Sequence, residues 1–153
     1  MTIRTRTPRT RTAGTLLAVV LLAVVAAGCL PAEEQSFLDR TNALRSSVGV
    51  RPLQEHGTLT AKAEAWANYM ARTGRLEHSN LAADLPGVQW MALGENVGYS
   101  SRTSDTPLTI HNAFVASPGH KRNLVDSRFT HMGIGVATDG AGRVWVAEVF
   151  AKL

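Results

Sequence analysis

The sequence predicts an α+β fold in which helices lie over an antiparallel sheet. Three observations carry this expectation. Between Ser36 and Ala116, apolar residues recur at helical spacing in three runs. After His131 the period drops to two and valine becomes frequent. Asp139-Gly140-Ala141-Gly142 splits that alternating stretch, which makes it a β-hairpin. Helical runs followed by paired strands, rather than alternating with them, give layers of the α+β kind. A chain of 153 residues without internal repeats suits one domain with a substantial core.

The first helix follows from "SFLDRTNALRSSVG", where Phe37, Thr41, Leu44 and Val48 share a stripe with Leu38 beside it. Ser36 is its expected cap and Gly49 its expected end. Asn42 and Arg45 on this helix read as structural hydrogen-bonding residues. "VRPLQEHGT" is a connector with Leu53 tucked inward. The second helix is the clearest, with Leu59, Ala63, Trp66, Ala67 and Met70 on one face. Thr58 is its expected N-cap, and Gly74 the residue past its C-terminus. "RLEHSNLAADLPGVQWMAL" reads as loop with one short turn. "GENVGYSSRTSD" begins as a short strand or turn and becomes loop. In the third helix Thr106 is the cap, Pro107 takes the favoured first position, and Leu108, Ile110, Ala113 and Phe114 supply the buried side. Pro118 stops it.

Residues 1–28 read as an export signal. "MTIRTRTPRTRT" is a positive n-region and "AGTLLAVVLLAVVAAGCL" an apolar h-region. The sole cysteine, Cys29, follows Ala27-Gly28. Small residues directly before a cysteine resemble a bacterial lipobox, in which the thiol is acylated and the chain cut ahead of it. Ala26 stands where leucine is usual. Cys29 is thus the expected lipidation site, and residues 29–35 a polar tether holding the domain on the outer face of the cell membrane. Ordinary cleavage to a secreted protein and an uncleaved spanning helix are the alternatives.

The formal charge of +4 is local. Arg4, Arg6, Arg9 and Arg11 precede the apolar run, and setting them aside leaves 12 basic residues against 12 acids. A near-neutral domain argues against nucleic-acid binding, which needs a basic face.

Five histidines are present. His56 in a connector and His131 at the hairpin mouth read as solvated, and His111 falls on the polar face of the third helix. His78 in "LEHS" and His120 in "SPGH" each stand at a helix exit, and Glu95 sits in the loop "GEN". On spacing alone two readings stand. Two imidazoles and a carboxylate on loops make a facial set that a divalent cation such as zinc takes, with water completing the shell. The plainer reading, which spacing favours, is that the imidazoles bond exposed carbonyls at helix ends. The helical i, i+4 histidine pair of zinc proteases is absent. Ser117 near His120 suggests nucleophile and base, but the strand-turn-helix context of a hydrolase elbow is missing.

The order of motifs adds more than their spacing. "TNALRSSVGVRPL", "AKAEAWANYMARTGRLEHS", "GENV", "SPGHKRNL" and "MGIGVATDGAGRVWVAEVF" together resemble the CAP superfamily of cysteine-rich secretory, antigen 5 and pathogenesis-related proteins. The likeness is to its short bacterial, disulfide-free, SCP-like branch and covers residues 36–153. It implies an α-β-α sandwich, with helices on both sides of a central antiparallel sheet. It also implies a ligand cleft of two histidines and two acids. The histidines match His78 and His120, and one acid matches Glu95. Ser117 occupies the second acid's place, and Phe114 stands where tryptophan is usual. The missing acid weakens both cation binding and catalysis by paired carboxylates.

With the expected export signal and lipidated Cys29, the resemblance implies an exported, membrane-tethered binding module. Its cleft of His78, Glu95, His120 and Ser117 takes a divalent cation, with His78, His120 and Glu95 as ligands, or a small polar ligand. Trp66, Trp90, Met91 and Tyr99 are candidates for an adjacent apolar surface for lipid or peptide, Trp66 being the most core-like. The alternative is a metal-dependent hydrolase of the cell envelope, with Glu95 or a metal-bound water as base.

Overall fold

The computed structural model describes residues 30–85 and 87–153, so the expected signal segment and Cys29 lie outside the described residues. Eight elements follow one another: α1 (Ala32–Ser47), β1 (Gln54–Glu55), α2 (Gly57–Thr73), β2 (Ala92–Ser101), α3 (Thr106–Ala116), α4 (Pro118–Val125), β3 (His131–Thr138) and β4 (Arg143–Lys152). The strand order is β1-β3-β4-β2. β4 pairs antiparallel with β3 and with β2. The two-residue β1 runs parallel to β3, which makes the four-stranded sheet mixed.

Both faces of the sheet are covered, so the fold is an α-β-α sandwich. Side chains alternate across β4. Trp145, Ala147, Val149 and Ala151 pack with Leu59, Ala63, Ala67 and Met70 of α2. Val144, Val146 and Phe150 point the other way, into Phe37, Ile110, Phe114 and Leu124 of α1, α3 and α4. A strand buried on both faces reads as a nearly continuous apolar run, and "VWVAEVFA" is one. The expected hairpin is present. Its turn is held by Asp139, which accepts from the Trp145 indole N–H, the Arg143 guanidinium and the Ala141 N–H.

α2 lies directly on β3. A Cβ at Gly133 would stand 2.1 Å from the backbone of Leu59 and Thr60, and one at Gly135 would stand 2.1 Å from Glu64 N. Only glycine permits this approach. On the other side, Arg45 is fully buried and donates to the carbonyls of Arg51, Leu124, Asp126 and Phe129. Asn42 both donates to and accepts from the Leu53 backbone. These two residues have the structural roles expected of them.

The structure differs from the sequence reading at several places, and on α3 Leu108 is exposed rather than on the buried side. α1 starts at Ala32 after Pro31, not at Ser36, so Glu33–Gln35 form its first turn rather than tether. Glutamates there suit the helix dipole, and Glu33 pairs with Arg102 at 2.9 Å. α2 begins at Gly57 with His56 as N-cap, two residues ahead of Thr58. At α3 the cap is Asp105, whose Oδ1 accepts from Leu108 N at 2.9 Å; Thr106 is already helical. "ALGENVGYSS" is a ten-residue strand, because β4 supplies a partner along its whole length. His111 is buried, not on a polar face, and its Nδ1 has no hydrogen-bond partner among the described residues.

Candidate functional site

Pro118 does end α3, but it also opens α4. Ser117 is at once the C-cap of α3 and the N-cap of α4, and Pro118 takes the first helical position, where its missing N–H costs nothing. His120 therefore stands in the first turn of a helix rather than on a loop. Its ring packs against Phe114 with centroids 4.9 Å apart.

His78 comes from the other side of the sheet. Gly74 turns the chain out of α2 in the left-handed conformation at φ 66°. Glu77 is then fastened back to α2, its carbonyl accepting from the Trp66 indole N–H and its carboxylate from the Tyr69 hydroxyl, each at 2.9 Å. His78 follows directly. Glu95 projects from β2, an outer strand of the sheet, on the face it shares with Val97 toward α2.

The three side chains border one cleft of about 300 Å³, shared with Ser117, Gly119, Arg122 and Asn123. It straddles β2, with His78 approaching from the α2 side and His120 from the α4 side. Within it Glu95 is nearly saturated. Its Oε1 lies 2.8 Å from His78 Nδ1 and accepts from Ser79 N at 2.9 Å; its Oε2 accepts from Ser79 Oγ at 2.6 Å. The Glu95 side chain is 3% exposed and that of His78 61%. A carboxylate can only accept, so His78 Nδ1 is the donor, and in the neutral imidazole Nε2 is then the nitrogen with the lone pair. Burial lowers the pKa of His120, and the nearby His78 lowers it further, which keeps this imidazole neutral at pH 7.

The expected three-ligand set does not fit a metal as it stands. Among the described residues no group of three His, Cys, Asp or Glu side chains is arranged to hold one. The reason is local: both Glu95 oxygens are taken by His78 and Ser79. The carboxylate orients an imidazole instead of offering itself, the role an outer partner plays in a carboxylate–histidine pair. Two imidazoles remain. Ser117 borders the cleft but makes no side-chain cap bond.

Residues 38–149 match the Cysteine-rich secretory protein family, CAP. The chain belongs to the CAP family. The uncharacterized protein YkwD of Bacillus subtilis (strain 168) is 28% identical over 134 residues, which cover 83% of this chain and 50% of YkwD. The chain thus spans half the length of that curated relative. A cysteine-rich secretory protein from Staphylococcus aureus superposes with TM-score 0.64 at 26% identity, covering 79% of this chain and 38% of the other. An extracellular protein with an SCP domain from Bacillus anthracis gives 0.68 at 23% identity, covering 79% and 40%. NaASP2, solved with Zn2+, shares the fold at TM-score 0.60 and 18% identity, covering 80% of each chain.

In this CAP domain the expected apolar surface is dispersed among different partners. Trp90 and Met91 are exposed ahead of β2. Tyr99 stacks on Trp145 and Trp66 on Tyr69, each pair 4.5 Å apart. His56 and His131 pack edge to face at 5.8 Å, away from the cleft residues. Ser79, Asn96 and Glu148 went unassigned on sequence. Ser79 carries little signal beyond following His78. Glu148 carries a clear one, as the sole acid in the alternating run of β4. No helix among the described residues is long and apolar enough to cross a membrane.

Proposed function

We propose that this CAP domain is an exported, membrane-tethered binding module whose cleft takes a divalent cation such as zinc through the imidazoles of His78 and His120. One observation carries the reading: Glu95 holds His78 by Nδ1, which leaves Nε2 as a ligand lone pair on the cleft side most open to solvent. A neutral His120 supplies the second imidazole, and this ligand type suits zinc. With two protein ligands, the remaining positions go to water or to a small polar ligand. NaASP2 was solved with Zn2+, which supports the choice of cation. The B. anthracis neighbour is described as extracellular, which supports export. Lipid on Cys29 supplies the tether, and Leu30 and Pro31 alone separate it from α1.

The hydrolase alternative needs a base beside the bound cation. Glu95, accepting three hydrogen bonds from its own chain, is poorly placed for that. Calorimetric titration with zinc chloride tests the proposal. One site is expected in the intact protein and none in the His78→Ala, His120→Ala double variant. Equal binding by the two proteins overturns it. Mass measurement of the mature N-terminus tests the tether, since an unmodified Cys29 contradicts it.

A further inference from the structure

Glu148 is fully buried in the middle of β4, on the face toward α1, α3 and α4. Its register partners are Asn96 on β2 and Ile134 on β3. Oε2 accepts from Asn96 Nδ2 at 3.0 Å, and Oε1 has no partner among the described residues. The ionisable groups not fully exposed on the covering helices include Glu34, Arg40 and Arg45 of α1, His111 of α3 and His120 of α4, and among the described residues none is hydrogen-bonded to Glu148. Arg45 is committed to four carbonyls. With no charge to meet it, burial pushes the acid up to about 8, so it is protonated at neutral pH.

A core position filled by an acid instead of an apolar residue asks for a reason. Asn96 gives one. The same Nδ2 that reaches Glu148 also reaches the His120 carbonyl, at 3.3 Å. Asn96 Oδ1 accepts from Asn123 Nδ2 at 3.0 Å, and that nitrogen also donates to the Glu95 carbonyl at 3.1 Å. One primary amide has two N–H groups, so Asn96 and Asn123 each spend both. The chain of bonds runs from Glu148 through Asn96 to the backbone of His120, and through Asn123 to the backbone of Glu95.

We infer that Glu148 is a positioning residue for the cleft: through Asn96 it fixes the backbone of His120 on one wall and, with Asn123, that of Glu95 on the other. The inference deepens the proposed reading of the cleft and rests on it for its purpose. Its test is made without added cation, so failure of zinc binding and failure of the relay are told apart. Nitrogen-15 spectra of the histidine rings and asparagine amides are recorded from about pH 6 to about pH 9. Ionisation of Glu148 strengthens its hold on Asn96 and so disturbs the other bonds in the relay.

The Asn96 amide and His120 ring signals are expected to show a common inflection near 8, which disappears in Glu148→Gln. A residue serving packing alone would not move these signals together. An inflection retained in Glu148→Gln, or a His120 ring insensitive to pH where Asn96 shifts, overturns the inference. Should Glu148→Gln fail to fold, Asn96→Asp in its place must abolish the coupling between Glu148 and His120 signals; coupling that survives likewise overturns it.

Discussion

Asn123 on α4 reaches the carbonyl oxygen of Glu95 on β2, 3.1 Å away, beside the site where Glu95 holds His78. The two cleft walls are therefore bonded to each other through backbone as well as facing across a gap. Gly94 makes this possible, since a Cβ there would stand 3.2 Å from the Asn123 side-chain oxygen and 2.9 Å from Phe129.

Glu95→Gln leaves the shape of the cleft but removes the charge that fixes the His78 proton on Nδ1. Zinc affinity measured by calorimetry is expected to fall about 10-fold or more, as for other outer partners of a ligand histidine. The melting temperature should change little by comparison, because the glutamine NH2 can donate to Ser79 Oγ while its oxygen still accepts from Ser79 N. Unchanged affinity would remove Glu95 from the orienting role.

The buried ionisable groups set opposite slopes of stability against pH. His111, His120 and His131 all have lowered values, chiefly through burial. The unfolded chain binds those protons first, so stability climbs as pH rises toward the unfolded value of about 6.5. Glu148 acts in reverse. Its folded value of about 8 lies above its unfolded one, so the folded chain keeps a proton that the unfolded chain releases. That contribution fades as pH rises from about 4.5 toward 8, at up to about 1.4 kcal/mol per unit. Urea titrations across this range are expected to show falling stability between about pH 6.5 and about pH 8. In Glu148→Gln that fall should be absent; if the variant follows the parent, Glu148 is not the group responsible.

Gly135→Ala tests the seat of α2. The added carbon would meet backbone atoms at 2.1 Å, which cannot swing aside as a side chain would. A loss on the order of 3 kcal/mol or more in urea unfolding is expected. Gly119→Ala is the matched control: nothing lies within 4 Å of that site and it is helical, so alanine there should be neutral or gain up to about 1 kcal/mol. Equal effects at the two positions would mean that α2 is not seated through Gly135.

Most of the fold was legible because its periodicities are clean. Leu59 to Met70 and the hairpin after His131 each follow one period, and Gly74 and Asp139 mark where it ends. β2 was read too short because Gly94, Gly98 and Ser100 are poor strand formers; its pairing with β4 overrides local preference. α4 was missed because a proline after a helix reads as a stop, and the same proline is the favoured start of the next. The cleft's members came from motif order, since nothing in the separation of His78 from His120 says that they meet. The saturation of Glu95 depends on Ser79 supplying two donors, which is a matter of backbone direction. Glu148 is an acid in a core pattern, but its role needs Asn96 opposite it, a register that only the folded sheet fixes.

The joint at Ser117 carries a final consequence. One residue closes α3 and opens α4, so the segment has no slack. Lengthening the chain there by a single residue would push the whole of α4 along its neighbours and carry His120 and Asn123 with it. Past Ser79 the described residues up to Met91 form no helix or strand, and length changes there are easier to absorb. A change of length is thus better absorbed there than at the corner beneath His120, which admits substitutions more readily than insertions.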